Sequence, residues 1–149
     1  MTSGESGGLI IRDPDCTVVL GPVRPTSISE VDDDEEGEFD VSLRTSGLTA
    51  SATVLSGGVT ELPAWLERLA RSFRGWQGIK RWSTWDRAVA LEASHDGAGH
   101  VTLFVAIAAP DGHDPDWTAR VRLMVDAGED MRNLAEKSVK VFDLQARPE

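Results

Sequence analysis

The sequence predicts an α+β fold: an antiparallel sheet of about six or seven strands in β-β-β-β-α-β-β-β-α order, with two helices packed on one face. Three observations predict it. Several segments alternate apolar and polar residues with a period of two, as a half-buried strand requires. Two others switch to the three-and-four spacing of an amphipathic helix. Short turns between the strand segments force antiparallel neighbours, and clean alternation means one face covered and one wet. The helices then cover the apolar face.

The elements follow in order. Leu9 to Arg12 and Cys16 to Leu20 are short β-type runs split by the turn Asp13-Pro14-Asp15. Residues 21–37 carry two prolines and no apolar periodicity, which predicts a loop. Phe39, Val41 and Leu43 alternate with Asp40, Ser42 and Arg44. Leu48, Ala50, Ala52 and Val54 do the same beyond Ser46-Gly47, so a tight hairpin is expected. Leu62, Trp65, Leu66, Leu69, Phe73 and Trp76 form one helical stripe, with Pro63 in the first turn and Gly75 and Gly78 at the end. After a Trp-rich connection come strands around Val89–Ala93, Val101–Ile107 and Trp117–Val125, separated by Asp96-Gly97 and Asp111-Gly112. Asp126 or Gly128 opens a last helix with Glu129 and Asp130 in its first turn, where the helix dipole favours acids. Met131, Leu134, Ala135, Ser138 and Phe142 are its inner stripe. Strands followed by a helix occur twice, without an internal repeat.

A chain of 149 residues has the size of one domain and can bury a core without metal or disulfide. The expected organisation is a disordered N-terminal tail over residues 1–7 and a single α+β domain over 8–146, with an acidic loop at 21–37. A lone cysteine, Cys16, excludes an intramolecular disulfide, and its place in an alternating strand predicts a packed thiol. The first eight residues have neither the basic nor the apolar part of a signal peptide, and Val101–Ala109 is too short to cross a bilayer. A cytoplasmic location and no membrane partner are the expectation.

Net charge is −10, unevenly spread: −8 over residues 1–60, +3 over 61–90 and −5 over 91–149. Such a field repels phosphate backbones and draws in a basic protein. Arg68, Arg71, Arg74, Lys80, Arg81 and Arg87 interleave with Trp76, Trp82 and Trp85, a mixture able to stack bases. The acidity of the remaining chain argues against nucleic acid.

Catalytic and metal signals are weak. His95, His100 and His113 lie near turns with Asp96, Asp111 and Asp114, but no pair has helical ligand spacing. Gly97-Ala98-Gly99 precedes a strand rather than a helix and lacks a following Lys-Ser/Thr, so it is no phosphate loop. Glu92 and Glu129 are read as ordinary surface acids rather than a catalytic pair. No cofactor and no catalytic residue is assigned.

Gly75-Trp76-Gln77-Gly78, Trp82-Ser83, Gly99-His100-Val101-Thr102-Leu103, Trp117, Asp126-Ala127-Gly128-Glu129-Asp130 and Leu134-Ala135 together resemble a family of small actinobacterial proteins of unknown function, over roughly residues 38–145. The resemblance implies no activity. The element order also resembles some immunity proteins of bacterial toxin systems.

The resulting expectation is a non-enzymatic protein-binding domain, in concrete form an immunity-type protein that neutralises a basic toxin. Asp32, Asp33, Asp34, Glu35 and Glu36 would steer the partner, and exposed Trp82 or Trp85 would anchor it. The alternatives are a chaperone for a secreted protein, or a small-molecule binder with a pocket between sheet and helices lined by Trp76 and Trp117.

Overall fold

The computed structural model describes residues 8–25, 37–108 and 116–142. Among the described residues, nine strands form two antiparallel sheets rather than one, accompanied by two α-helices. The first sheet holds β1 (Leu9–Asp13), β2 (Cys16–Leu20), β3 (Arg24–Pro25), β4 (Gly37–Thr45) and β5 (Leu48–Leu55). β4 is central. Its Ser42 faces Val19 of β2 and Ser51 of β5, and its Glu38 faces Arg24 of β3 and Leu55 of β5. β2 and β3 therefore lie along the same side of β4. The second sheet runs β6 (Lys80–Ser83), β7 (Val89–His95), β8 (His100–Ala108) and β9 (Thr118–Asp126), in chain order. Between the sheets comes a 3-10 turn at Val59–Glu61 and α1 (Leu62–Arg71); α2 (Glu129–Phe142) follows β9.

The expectation of a single sheet of six or seven strands with two helices on one face is thus wrong, and the molecule is mostly β. Alternation gives a strand its two faces but does not name its partner. β5 and β6 are separated by α1 and its following loop, and each run of strands closes on itself by hairpins. Two short strands carry no period-two pattern and add to those expected. β3 has two residues, and β6 (Lys80-Arg81-Trp82-Ser83) has one apolar residue and no alternation to detect.

The inner faces of both sheets and the apolar stripes of both helices form one buried cluster. Leu9, Val18, Leu20, Phe39, Val41 and Leu43 of the first sheet are fully buried, as are Leu91, Val101, Leu103, Val105 and Leu123 of the second. Each such side chain contributes about 1.5–3 kcal/mol of burial free energy. That packing holds the ten-residue α1, which is too short to persist alone. α2 buries Met131, Leu134, Ala135, Ser138 and Phe142, the stripe expected, and Phe142 meets Phe39 edge-on at 5.8 Å. Asp126 caps α2: its carboxylate accepts from the backbone N–H of Gly128, Glu129 and Asp130, while the Asp130 carboxylate accepts from the Asp126 N–H. Those bonds hold the Asp126 carboxyl below its ordinary value. The sheets are joined at one edge, where Asp13 Oδ2 of β1 accepts from the Met124 N–H of β9 at 3.0 Å.

α1 stops short of its expected end. The Ser72 N–H closes the last turn on Arg68 and Leu69, and the Phe73 carbonyl bonds instead to Nε2 of His95 at 2.9 Å. Phe73 is left half exposed, and Trp76 lies beyond the helix with its ring edge-on to His95.

Candidate functional site

β6 and the turn after it place two tryptophans in opposite environments. Trp82 pairs with Leu91 on the inner face of the second sheet. It is 7% exposed, and its indole N–H donates to the Gly58 carbonyl at 3.3 Å. The expectation that Trp82 offers an exposed anchor fails on this burial. Trp85 is 75% exposed.

Trp85 sits on a tightly bonded turn. The Thr84 N–H donates to the Val89 carbonyl and the Arg87 N–H to the Thr84 carbonyl, both at 2.9 Å. Thr84 Oγ1 donates to Asp86 Oδ1 at 2.9 Å and accepts from the Val89 N–H at 3.2 Å. The same Asp86 oxygen accepts from the Ala88 N–H at 3.0 Å. Trp85's own N–H donates to the Gly57 carbonyl at 2.9 Å, which lays the indole on the Gly57-Gly58 backbone. A Cβ at Gly57 would lie 2.6 Å from that ring, and one at Gly58, where φ is +93°, 2.9 Å from it. Two glycines thus allow an aromatic shelf with one side supported and the rest in water. Gly57 and Gly58 were not singled out in the sequence; the only signal was a glycine pair between a strand and a helix.

The shelf adjoins the two ends of the acidic segment. The Gly37 carbonyl accepts from the Ser56 N–H at 2.9 Å, one residue before the Gly57 that holds Trp85. Pro25 and Gly37, which flank residues 26–36, are paired across β3 and β4. Asp32, Asp33, Asp34, Glu35 and Glu36 themselves lie outside the described residues. Leu55, half exposed at the end of β5, adds apolar surface beside Ser56.

The other candidates have structural roles or stand apart. Asp96 shapes the β7–β8 turn: its carboxylate accepts from the N–H of Ala98 and His100 and meets His100 Nδ1 at 2.9 Å, which holds its carboxyl down at about 2. His95 Nδ1 accepts from the Gly97 N–H while Nε2 faces the Phe73 carbonyl, so this ring is a joint between the loop after α1 and β7. Among the described residues no three His, Cys, Asp or Glu side chains gather as a metal site. His113, Asp111 and Asp114 lie outside the described residues, as do the expected tail at 1–7 and most of the acidic loop. Glu92 stands on the outer face of the second sheet between Arg81 (3.2 Å) and Arg120 (3.4 Å), away from Glu129 in the first turn of α2. Cys16 is buried, and its thiol is pushed up by burial and by Asp13 and Asp15. No helix among the described residues is long and apolar enough to cross a membrane.

Open clefts mark the surface of the described residues. One of about 590 Å³ lies between α1 and α2, one of about 490 Å³ between α1 and β6, and one of about 470 Å³ on the outer face of the first sheet. None is lined by Trp76 or Trp117, the residues expected to wall a pocket between sheet and helices.

No curated protein matches the chain. The structure of the plant transcriptional regulator PBF-2 is similar with a TM-score of 0.48 and 11% sequence identity, over 93% of this chain and 83% of that one. A family model described as a family of unknown function, DUF6228, matches residues 21–145. That span includes the segments from Gly75 to Ala135 that carried the resemblance, and the chain belongs to this family.

Proposed function

We propose that the chain is a non-enzymatic protein-binding domain whose interface centres on Trp85, with the acidic segment flanked by Pro25 and Gly37 selecting a basic partner. The exposed indole on a prebuilt Gly57-Gly58 support carries this reading. A rigid aromatic loses little conformational freedom on docking, and tryptophan is over-represented among residues that dominate binding energy. Asp32, Asp33, Asp34, Glu35 and Glu36 add clustered negative charge to a chain of net charge −10, which raises encounter rates with a basic surface and penalises acidic ones. The concrete form is an immunity-type protein that neutralises a basic toxin inside the cell.

The test uses the full chain and a basic protein encoded beside its gene, with binding measured at several salt concentrations. Trp85→Ala is expected to weaken binding about thirtyfold, about 2 kcal/mol, while the fold remains intact. Replacing Asp32 to Glu36 by Ala is expected to slow association and flatten its salt dependence. Unchanged affinity in Trp85→Ala at intact fold would reject the reading.

A further inference from the structure

The cleft between the C-terminal turn of α1 and β6 gathers four cationic side chains and no acid. Arg68, Arg71, Lys80 and Arg81 line it with Ser72, over the buried edges of Trp65 and Leu69. All four cations are exposed. Arg71 is paired with Glu67 at 3.1 Å and Arg81 with Glu92 at 3.2 Å; neither acid lines the cleft. Arg68 and Lys80 have no ion pair among the described residues. Lys80 is steadied instead by the Trp76 ring, 5.8 Å from its Nζ.

Each half of this arrangement has a local reason. Cations in a last helical turn complement the helix dipole, and charges on an edge strand discourage pairing with another chain. Neither reason explains why both sets face one cleft. Arg68 and Lys80 bring two uncompensated like charges beside two paired ones, which is unfavourable, in a chain where acids outnumber bases 25 to 15. An anion in the cleft would offset that repulsion. The last-turn carbonyls of Arg68 and Leu69, which would oppose an anion, already accept the Ser72 N–H.

We propose that this cleft binds a small phosphate-bearing anion of the diphosphate class, held by Arg68 and Lys80 with Arg71 and Arg81 at its rim. Guanidinium groups suit the planar recognition of phosphate oxygens, and a lysine supplies a mobile point charge. A cleft of about 490 Å³ has room for more than one phosphoryl group. The site is independent of the Trp85 shelf, which lies at the other end of β6.

The experiment titrates the full chain with inorganic pyrophosphate by calorimetry at low salt. Saturable one-to-one binding is expected, weakened at least tenfold in Arg68→Gln/Lys80→Gln and unchanged in Arg12→Gln/Arg44→Gln, which alters an equal charge on the first sheet. Thermal melts establish that both variants fold. Absence of saturable binding, or equal loss in both double variants, would overturn the proposal. So would tighter binding of single-stranded oligonucleotides with increasing length in place of saturation by pyrophosphate, because the face would then serve nucleic acid.

Discussion

The two ends of β6 are built on different principles. At the Ser83 end, Thr84 and Asp86 bond to each other and to the backbone of Ala88 and Val89, and the Gly57 carbonyl accepts from the Trp85 N–H, so Trp85 is held by backbone geometry. At the Lys80 end, four long side chains reach over an open cleft, and the ion pairs there are exposed and salt-sensitive. The contrast separates two ways to meet a ligand. A fixed aromatic presents one shape; flexible cations adjust to an ion. The same strand supplies both because its buried Trp82 pins the middle to Gly58.

Substitutions that break the shelf should have the largest effect. Gly58→Val forces a β-branched residue into a left-handed backbone and drives its Cβ toward the indole, with an expected loss of about 3 kcal/mol in urea unfolding. Thr84→Val keeps the shape but leaves the Val89 N–H without its side-chain acceptor, and about 2 kcal/mol should be lost. A smaller effect belongs to the other end, where β7 runs on from Ala93, the partner of Lys80, to the Asp96 turn three residues later. The Asp96 carboxyl is lowered in the folded protein from 3.8 to about 2, so the unfolded chain takes up its proton first. Its contribution is complete above about pH 4 and fades as pH falls toward 2. Asp96→Asn should remove that part of the acid slope, as melts between pH 5 and 2 would show. Least of all, Arg68→Gln/Lys80→Gln should change unfolding free energy by less than about 0.5 kcal/mol. A loss there as large as at Gly58 would erase the distinction between the two ends.

How much of this was legible depended on whether the information was local. The β4–β5 hairpin and the α2 stripe were readable because each carries its periodicity within its own residues. The division into two sheets was not, because strand pairing is decided between distant segments. The apolar stripe runs past the true end of α1 for a similar reason: the Phe73 carbonyl bonds to His95, 22 residues away, and no helical pattern records that competition. Of the proposed anchors, Trp85 is exposed and Trp82 is buried. Their different fates follow from β6, whose lone apolar residue concealed it as a strand. The shelf needed Gly57 and Gly58 as well, and a glycine pair is mute until the ring lying on it is known.

Asp13 carries a further consequence. One carboxylate oxygen accepts from the Asp15 N–H and shapes its own turn, while the other occupies the Met124 N–H on the outermost strand of the second sheet. That donor is no longer free to receive a foreign strand, and the obstruction falls within β9 rather than at its tip. A filament grown by adding strands to this border would first have to dislodge a side chain belonging to the opposite sheet, so the link that joins the halves also guards against polymerisation.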